Sequence, residues 1–284
     1  MKLFFTSSTQ HLKQQFHGLF GSYTLKKFSD GEWYVHIIDD VAQQNVLVIA
    51  ATNTPADNYI ELLLLLDALQ RAGAYITLVF MYYGYARQDR IQQPGEALSA
   101  QVLAYGFKQF TIKNIIILHV HSELLHNFLN FRNYIPYDYF YTCAQDSDII
   151  VAPDKGAYTL ATVIADKLGR EALFLQKTHP HQEESVVTLI NGNVAGKNVL
   201  LVDDMISTAG TIIHASTLLK EQGALRINIA VTHGIFAHDA LEKLQQSSIE
   251  TIYITNSLSQ PVLIPKIKVV TIIPWLEQYL IQQL

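Results

Sequence analysis

The sequence has little cysteine and little charge, and it lacks any long apolar run. Cys143 is the single cysteine among 284 residues, so no internal disulfide can form and a reducing cytoplasm is the expected setting. Charged residues make up only 16%, and a net charge of −5 argues against partners such as nucleic acid or an anionic membrane. Apolar runs such as Leu62–Leu66 are far shorter than the roughly 20 residues that cross a bilayer. The residues from Met1 to Thr6 turn polar too soon for a secretory signal.

Apolar residues are abundant, at 49% of the chain, and they fall in runs that alternate between strand and helix patterns. The predicted strands are Leu3–Thr6, Val46–Ala50, Tyr75–Phe80, Asn114–Leu118, Asp148–Val151, Ala172–Leu175, Val199–Val202, Arg226–Val231, Thr251–Ile254 and Val269–Ile272. The predicted helices are Asp57–Ala72, Ser99–Lys108, Ser122–Asn127, Ala157–Leu168, Thr211–Gln222 and Ala237–Gln246. This alternation predicts an α/β protein with parallel sheets, whose ligand loops follow the carboxyl ends of strands.

Residues 199–211 read Val-Leu-Leu-Val-Asp-Asp-Met-Ile-Ser-Thr-Ala-Gly-Thr and carry the clearest chemical signal. Four apolar residues predict a buried strand, with Asp203 and Asp204 at its carboxyl end. The small residues that follow lead into a helix, whose N-terminal N–H groups suit a phosphate. Paired carboxylates suit ribose hydroxyls or a hard cation. The segment predicts a site for a ribose that carries a 5-phosphate, and an ordinary strand-turn-helix is the competing interpretation.

Two further segments carry recognisable patterns. Residues 80–90 read Phe-Met-Tyr-Tyr-Gly-Tyr-Ala-Arg-Gln-Asp-Arg, and residues 27–32 read Lys-Phe-Ser-Asp-Gly-Glu. Other patterned stretches lie at 58–71, 95–100, 152–156, 232–236 and 255–257. These segments, and their order along the chain, resemble those of the ribose-phosphate diphosphokinase family, whose members are also called phosphoribosyl-diphosphate synthases. The 199–211 loop alone is also similar to that of type I phosphoribosyltransferases, which lack the Tyr-Ala-Arg-Gln-Asp-Arg stretch.

The resemblance implies two similar α/β domains with parallel sheets flanked by helices, like those of type I phosphoribosyltransferases, and an active site between them. We expect an ATP-binding domain at residues 1–143 and a ribose-5-phosphate-binding domain at residues 144–273. The family's C-terminal helix packs back on the N-terminal domain, and residues from about 274 to 284 would form it here. The resemblance also implies a homo-oligomer built from dimers, with a hexamer as one form.

The implied reaction moves the diphosphoryl group of ATP to the 1-hydroxyl of ribose 5-phosphate, giving 5-phosphoribosyl 1-diphosphate and AMP, with Mg²⁺ bridging the phosphates. The resemblance assigns the catalytic roles to Lys177, His121, His179 and Asp204. It assigns ATP to Arg87, Gln88, Asp89, His121 and, from a neighbouring subunit, Phe28, Asp30 and Glu32. It assigns ribose 5-phosphate to Asp203, Asp204, Ser207, Thr208, Ala209, Gly210 and Thr211. It assigns the metal to His121, Asp154, Asp203 and Asp204.

The chain departs from the family pattern at two positions near the reacting phosphates. His179 stands where the family has a second cation, an arginine, two residues after Lys177. His119 stands where the family usually has aspartate, two residues before His121. These departures favour one alternative, a non-catalytic regulatory homologue that binds nucleotide or family partners. A phosphoribosyltransferase is the other alternative, but it leaves the segments at 27–32 and 85–90 unexplained.

Overall fold

The computed structural model of the chain describes residues 1–181, 184–190 and 192–283, with the side chains of 177–191 left out. The chain divides into two compact units. The first unit contains Met1–Ile135 and Ser257–Ser259, and the second contains Pro136–Asn256 and the chain from Gln260 onward. Each unit has its own sheet and its own buried apolar core. The α/β class expected from the sequence is confirmed.

The first unit contains one parallel sheet and one separate antiparallel hairpin. The sheet strands are β1 (Lys2–Phe5), β2 (Leu19–Phe20), β5 (Asn45–Ala51), β6 (Tyr75–Tyr82), β7 (Ile112–Leu118) and β8 (Arg132–Tyr134). The hairpin strands are β3 (Tyr23–Lys27) and β4 (Trp33–Ile37). The sheet order is β2-β1-β5-β6-β7-β8, with every neighbouring pair parallel. Strands β5 and β6 are buried along almost their whole length, which is typical of central parallel strands covered on both faces.

The second unit contains a mainly parallel sheet. Its strands are β9 (Ile149–Ala152), β10 (Glu171–His181), β11 (Glu184–Ile190), β12 (Asn198–Ile206), β13 (Arg226–Gly234), β14 (Thr251–Thr255) and β15 (Ile267–Val270). The order is β11-β10-β9-β12-β13-β14-β15, and within the described residues only β11 runs antiparallel to its neighbour. Strand β12 therefore lies near the centre of the sheet, between β9 and β13.

Helices connect the strands of both units. They are α1 (Asp57–Arg71), α2 (Ser99–Phe107), α3 (Tyr137–Cys143), α4 (Tyr158–Leu168), α5 (Gly210–Glu221), α6 (Ala240–Gln246) and α7 (Ile273–Gln283), with 3-10 helices at Ser7–Gln15 and Glu123–Asn127. Helix α1 shows why they form: Leu62, Leu65, Leu66 and Leu69 recur at helical spacing and are fully buried in the core of the first unit. Burying each such leucine is worth roughly 2 kcal/mol. Among the described helices, none has the length and apolar character to cross a membrane.

The observed boundary between the units differs from the expected division at residue 143. Helix α3 belongs to the second unit, because Tyr139 is fully buried there and its hydroxyl donates to the Val231 carbonyl oxygen at 2.9 Å. Helix α7 also groups with the second unit. Its expected packing on the N-terminal domain stays a prediction.

Two strands run further than the sequence indicated. Strand β12 continues through Asp203 and Asp204 to Ile206, because it stays paired with β13 as far as Gly234. Strand β10 continues to His181 because it pairs with β11, which the sequence analysis did not predict. The paired carboxylates are therefore inside a strand, and Lys177 lies on β10 instead of in a loop after it.

Candidate active site

The β12–α5 connection in the second unit forms the predicted ribose-phosphate loop. The backbone turns sharply at Ala209, whose φ of 64° is left-handed, and helix α5 begins at the next residue. Thr208, Gly210 and Thr211 are exposed to solvent. The first N–H groups of a helix have no acceptor inside the helix, so this exposed turn presents free donors to an anion.

The end of this loop is held by the neighbouring strand. The carbonyl oxygen of Ile206 accepts the N–H groups of Ile235 and Phe236 at 2.9 and 3.2 Å, and the carbonyl oxygen of Ser207 accepts that of Ala237 at 3.0 Å. These bonds fix where β12 stops.

Asp203 and Asp204 form a half-buried acidic pair on β12. Burial raises the pKa of Asp203 well above its usual range, and the charge of Asp204 and a hydrogen bond between the two side chains raise it further. The negative charge of Asp154 adds to the effect. A cation or hydroxyl donors at this position would stabilise the ionised pair, so its chemistry fits both Mg²⁺ and ribose.

Asp154 follows β9, the strand beside β12. Its Oδ1 accepts the N–H groups of Gly156 and Ala157 at 2.8 and 3.3 Å, just before helix α4. It therefore stabilises the turn that leads into α4, and it also adds negative charge beside Asp203.

Arg87 lies on the loop that follows β6 in the first unit, and its side chain is exposed. The loop starts at Gly84, where a Cβ atom would lie 2.1 Å from the carbonyl oxygen of Thr52, so no larger residue fits. The Gly84 N–H donates to Thr52 Oγ1 at 2.8 Å, and the Thr52 N–H donates to the carbonyl oxygen of Tyr82 at 3.0 Å. These two hydrogen bonds join the ends of β5 and β6 at the point where the loop begins.

The predicted ATP residues Gln88 and Asp89 are engaged within the first unit. The Ser99 hydroxyl donates to Gln88 Oε1. Asp89 is only 8% exposed and forms an ion pair with Arg90, whose Nε lies 3.1 Å from Oδ1.

His121 follows β7, the strand next to β6, and it is exposed. His119, two residues earlier, is buried in a left-handed conformation with φ 40°, and its N–H donates to the Tyr134 carbonyl oxygen at 2.9 Å. The pKa of Asp89 is lowered, although its burial acts to raise it, because Arg90 and Ser122, the residue after His121, favour the ionised carboxylate. Because β6 and β7 are neighbouring parallel strands, the loops that carry Arg87 and His121 follow the same edge of the first unit's sheet.

Phe28, Asp30 and Glu32 form the tip of the β3–β4 hairpin, and all three side chains are exposed. The turn closes through the Phe28 N–H, which donates to the Glu32 carbonyl oxygen at 2.8 Å, and Gly31 supplies a φ of 94°. Phe28 is 51% exposed and meets Tyr34 edge to face. An exposed aromatic tip of this kind is available to another molecule.

Comparison with known proteins connects these loops to one family. Residues 1–110 match the N-terminal domain of ribose phosphate pyrophosphokinase, and residues 171–278 match the phosphoribosyl synthetase-associated domain. The ribose-phosphate pyrophosphokinase of Chlorobaculum tepidum is 38% identical over 260 residues, which cover 87% of this chain and 79% of that protein. The chain belongs to the ribose-phosphate pyrophosphokinase family.

Other pyrophosphokinases agree with this membership. The ribose-phosphate pyrophosphokinase of Bacillus cereus is 34% identical over 278 residues, covering 92% of this chain and 86% of the relative. The crystal structure of phosphoribosylpyrophosphate synthetase from Mycobacterium smegmatis superposes with a TM-score of 0.87 at 28% identity, over 99% of this chain and 98% of that one. The family predicted from the motifs, under its alternative name of diphosphokinase, is confirmed.

The remaining predicted residues concern the reacting phosphates and the metal. Lys177 and His179 lie on β10, but their side chains are outside the described part of the molecule. Among the side chains that are described, no three of histidine, cysteine, aspartate or glutamate converge on a metal position. The metal assignment of His121, Asp154, Asp203 and Asp204 stays a prediction, with His121 in the first unit and the three aspartates in the second.

Sequence reasoning missed two hydroxyl residues that hold the Arg87 loop. They are Thr52 and Ser99, which contact Gly84 and Gln88 in turn. Thr52 comes just after strand β5 and Ser99 is the first residue of helix α2, which is the only hint of their role that the sequence offers.

Proposed function

We propose that this chain is an active ribose-phosphate pyrophosphokinase. It transfers the diphosphoryl group of ATP to the 1-hydroxyl of ribose 5-phosphate. A bond forms between the 1-oxygen and the β-phosphorus of ATP, the bond from that phosphorus to the α–β bridging oxygen breaks, and AMP leaves while the hydroxyl proton is released. The observation that carries the proposal is the β12–α5 loop, with an acidic pair followed by an exposed helix N-terminus, in a chain that also has the Arg87 loop.

The β12–α5 loop holds ribose 5-phosphate. The 5-phosphate binds the exposed N-terminal turn of α5, where Ser207, Thr208 and Thr211 add hydroxyl donors and the small Ala209 and Gly210 allow close approach. The ribose hydroxyls donate to Asp203 and Asp204. Such donation favours the ionised carboxylates, which burial and mutual repulsion disfavour in the free protein.

The Arg87 and His121 loops hold ATP. Arg87 offers a planar fork of donors that suits phosphate or an adenine edge, and His121 lies on the adjoining loop. Phe28, Asp30 and Glu32 serve the adenine of a neighbouring subunit, so the active form is a homo-oligomer.

Lys177 and His179 supply positive charge to the transferring diphosphoryl group. Charge aimed at the group that becomes more negative lowers the barrier without covalent chemistry. A neutral His179 would supply less charge than an arginine at that position, because an unperturbed imidazole has a pKa near 6.5.

The acidic pair on β12 and Asp154 suit Mg²⁺, which proteins usually hold with one or two carboxylates plus substrate phosphates. When bound, Mg²⁺ neutralises charge on the phosphates.

The single buried cysteine supports a cytoplasmic location.

The proposal is tested with purified protein, ATP, Mg²⁺ and ribose 5-phosphate by following AMP. AMP that appears only with the pentose supports it. Nucleotide binding without turnover would favour the regulatory homologue instead, and consumption of 5-phosphoribosyl 1-diphosphate with a base would favour a phosphoribosyltransferase. Lys177→Ala should abolish transfer while ATP binding is retained in part.

A further inference from the structure

The β3–β4 hairpin carries the tip that the proposed function assigns to the adenine of a neighbouring subunit. Within the described residues, its two strands pair only with each other and not with the parallel sheet of the first unit. A hairpin of two strands is at best marginally stable by itself in water. The place of its tip therefore depends on the contacts that attach the hairpin to the rest of the unit.

Glu61 on helix α1 makes one of these contacts from a buried position. It is only 2% exposed, and its Oε1 accepts the Tyr23 hydroxyl at 2.6 Å and the Ser7 N–H at 2.8 Å. Tyr23 is the first residue of β3, and Ser7 is the first residue of the 3-10 helix that follows β1. One buried carboxylate therefore joins α1, the hairpin and the chain after β1. Glu61 also lies in the patterned 58–71 stretch, to which the candidate site gave no role.

The Tyr23 hydroxyl is the donor in this contact. Burial raises the pKa of Tyr23 far above its ordinary value, and the negative charge of Glu61 raises it further, so Tyr23 keeps its proton at any working pH. The hydroxyl also lies 3.0 Å from the Phe5 carbonyl oxygen. Because a hydrogen bond to a carboxylate is stronger than one between neutral groups, Glu61 holds the hairpin more firmly than the Phe5 contact does.

Two other kinds of contact accompany the one to Glu61. The partly buried side chains of Tyr23 and Val35 pack against the apolar core of the first unit. Apolar contact is non-directional, so it holds the hairpin against the core without fixing its exact place. Near the tip, Lys27 Nζ lies 2.8 Å from Asp57 Oδ2, but both side chains are exposed and such ion pairs contribute little. The directional part of the attachment thus comes mainly from Glu61.

We propose that Glu61 is a positioning residue, which holds the hairpin through Tyr23 so that Phe28 lies in place for the ATP of a neighbouring subunit. The proposal rests on the function proposed above, since that function assigns the hairpin tip to ATP. Glu61 itself does not contact ATP, because its carboxylate is buried and accepts Tyr23 and Ser7. Loss of the Tyr23 hydroxyl should therefore act on ATP only through Phe28.

The first measurement is hydrogen exchange of the hairpin, which requires no activity. Tyr23→Phe removes one hydroxyl and keeps the ring that packs on the core. The amides of β3 and β4 should exchange about tenfold faster in this variant, because a hydrogen bond to a charged group is worth about a factor of ten or more in local stability. The amides of the central strands β5 and β6 should exchange as in the wild-type protein.

The second measurement is ATP affinity by calorimetry, with Mg²⁺ and without pentose. Tyr23→Phe and Glu61→Leu should each weaken ATP binding about fivefold, because a loosened hairpin must be ordered again when ATP binds. The double variant should be no weaker than the worse single one, since both changes remove the same link. In a Phe28→Ala background, adding Tyr23→Phe should have no further effect on ATP.

Three comparisons separate positioning from general stability. Glu61→Gln keeps a side-chain oxygen that can accept the Tyr23 hydroxyl, so it should retain more ATP affinity than Glu61→Leu. Asp67→Asn, which breaks an exposed ion pair with Arg71 on the same helix, should change neither exchange nor affinity. KM for ribose 5-phosphate should stay within about twofold in all variants, whereas a merely unstable fold would impair both substrates.

The proposal is overturned if Tyr23→Phe leaves exchange in the hairpin unchanged, or if exchange accelerates equally throughout the first unit. It is also overturned if the effects of Tyr23→Phe and Phe28→Ala on ATP affinity add in full, or if both KM values rise together. A failure of the proposed function gives a different result: a wild-type protein that binds ATP but forms no AMP would contradict the activity, while exchange and ATP affinity would still decide the role of Glu61.

Discussion

At the scale of single residues, replacement of Asp204 should impair catalysis without impairing folding. It is half-buried on a well-paired strand, and the amide of asparagine is nearly the same size as the carboxyl. Asp204→Asn should therefore fold normally but lower kcat/KM about a hundredfold, which corresponds to about 3 kcal/mol of lost transition-state stabilisation. Asp239→Asn, which removes an exposed partner of Lys243 in the same unit, is the control. Normal kinetics in Asp204→Asn would contradict the ribose assignment.

Cys143 gives a prediction that is independent of catalysis. Burial raises the pKa of its thiol to about 12, from an ordinary value of 9.0, and its hydrogen bond with Tyr139 only partly offsets this. The folded protein at pH 8 should thus react slowly with a thiol reagent, because the thiolate is the reactive form. Reaction should become fast in denaturant. The folded protein should also lose stability as the pH rises from about 9 toward 12, since the unfolded chain ionises first. Rapid labelling of the folded protein would contradict the burial of the Cys143 thiol.

At the scale of elements, the glycines Gly84 and Gly210 of the two ligand loops should respond in opposite ways to replacement by alanine. Gly84→Ala should lower the free energy of unfolding by about 1–3 kcal/mol, because its Cβ would overlap the Thr52 carbonyl oxygen. Gly210→Ala should leave stability almost unchanged, because its Cβ would meet only Thr208 Oγ1, at 4.0 Å. The same change should weaken ribose 5-phosphate binding, since the open space at Gly210 is where the 5-phosphate is expected. Denaturant unfolding and calorimetry measure both, and normal pentose binding by Gly210→Ala would move the phosphate elsewhere.

The elements also show what the sequence could and could not predict. Apolar runs such as Val46–Ala50 correctly predicted the central strands, because a continuous apolar run is typical of a parallel strand that is buried on both faces. The ends of β10 and β12 were placed too early, since a run that turns polar looks like a strand end although pairing with β11 or β13 continues. The β3–β4 hairpin was not predicted. The contact that holds the start of the Arg87 loop could not be predicted either, because Thr52 comes 32 residues before Gly84 along the chain.

At the scale of the whole molecule, the hairpin tip should work on a neighbouring subunit. Phe28→Ala should lower activity by weakening ATP binding, and Lys177→Ala should abolish transfer. If Phe28 serves a neighbour, a mixture of the two variants should be more active than either variant alone, because some sites then combine an intact Lys177 with an intact Phe28. Light scattering confirms an oligomer in each case. Subunit exchange without recovered activity, or a fully active monomer, would remove Phe28, Asp30 and Glu32 from the site.

The central claim is that the chain moves a diphosphoryl group and not a single phosphoryl group. Phosphorus NMR of a mixture of the protein, ATP, Mg²⁺ and ribose 5-phosphate follows every phosphate at once. The account predicts that AMP and 5-phosphoribosyl 1-diphosphate appear in equal amounts, that ADP does not form, and that nothing happens without the pentose. ADP with a monophosphorylated pentose, or AMP formed in the absence of ribose 5-phosphate, would contradict it.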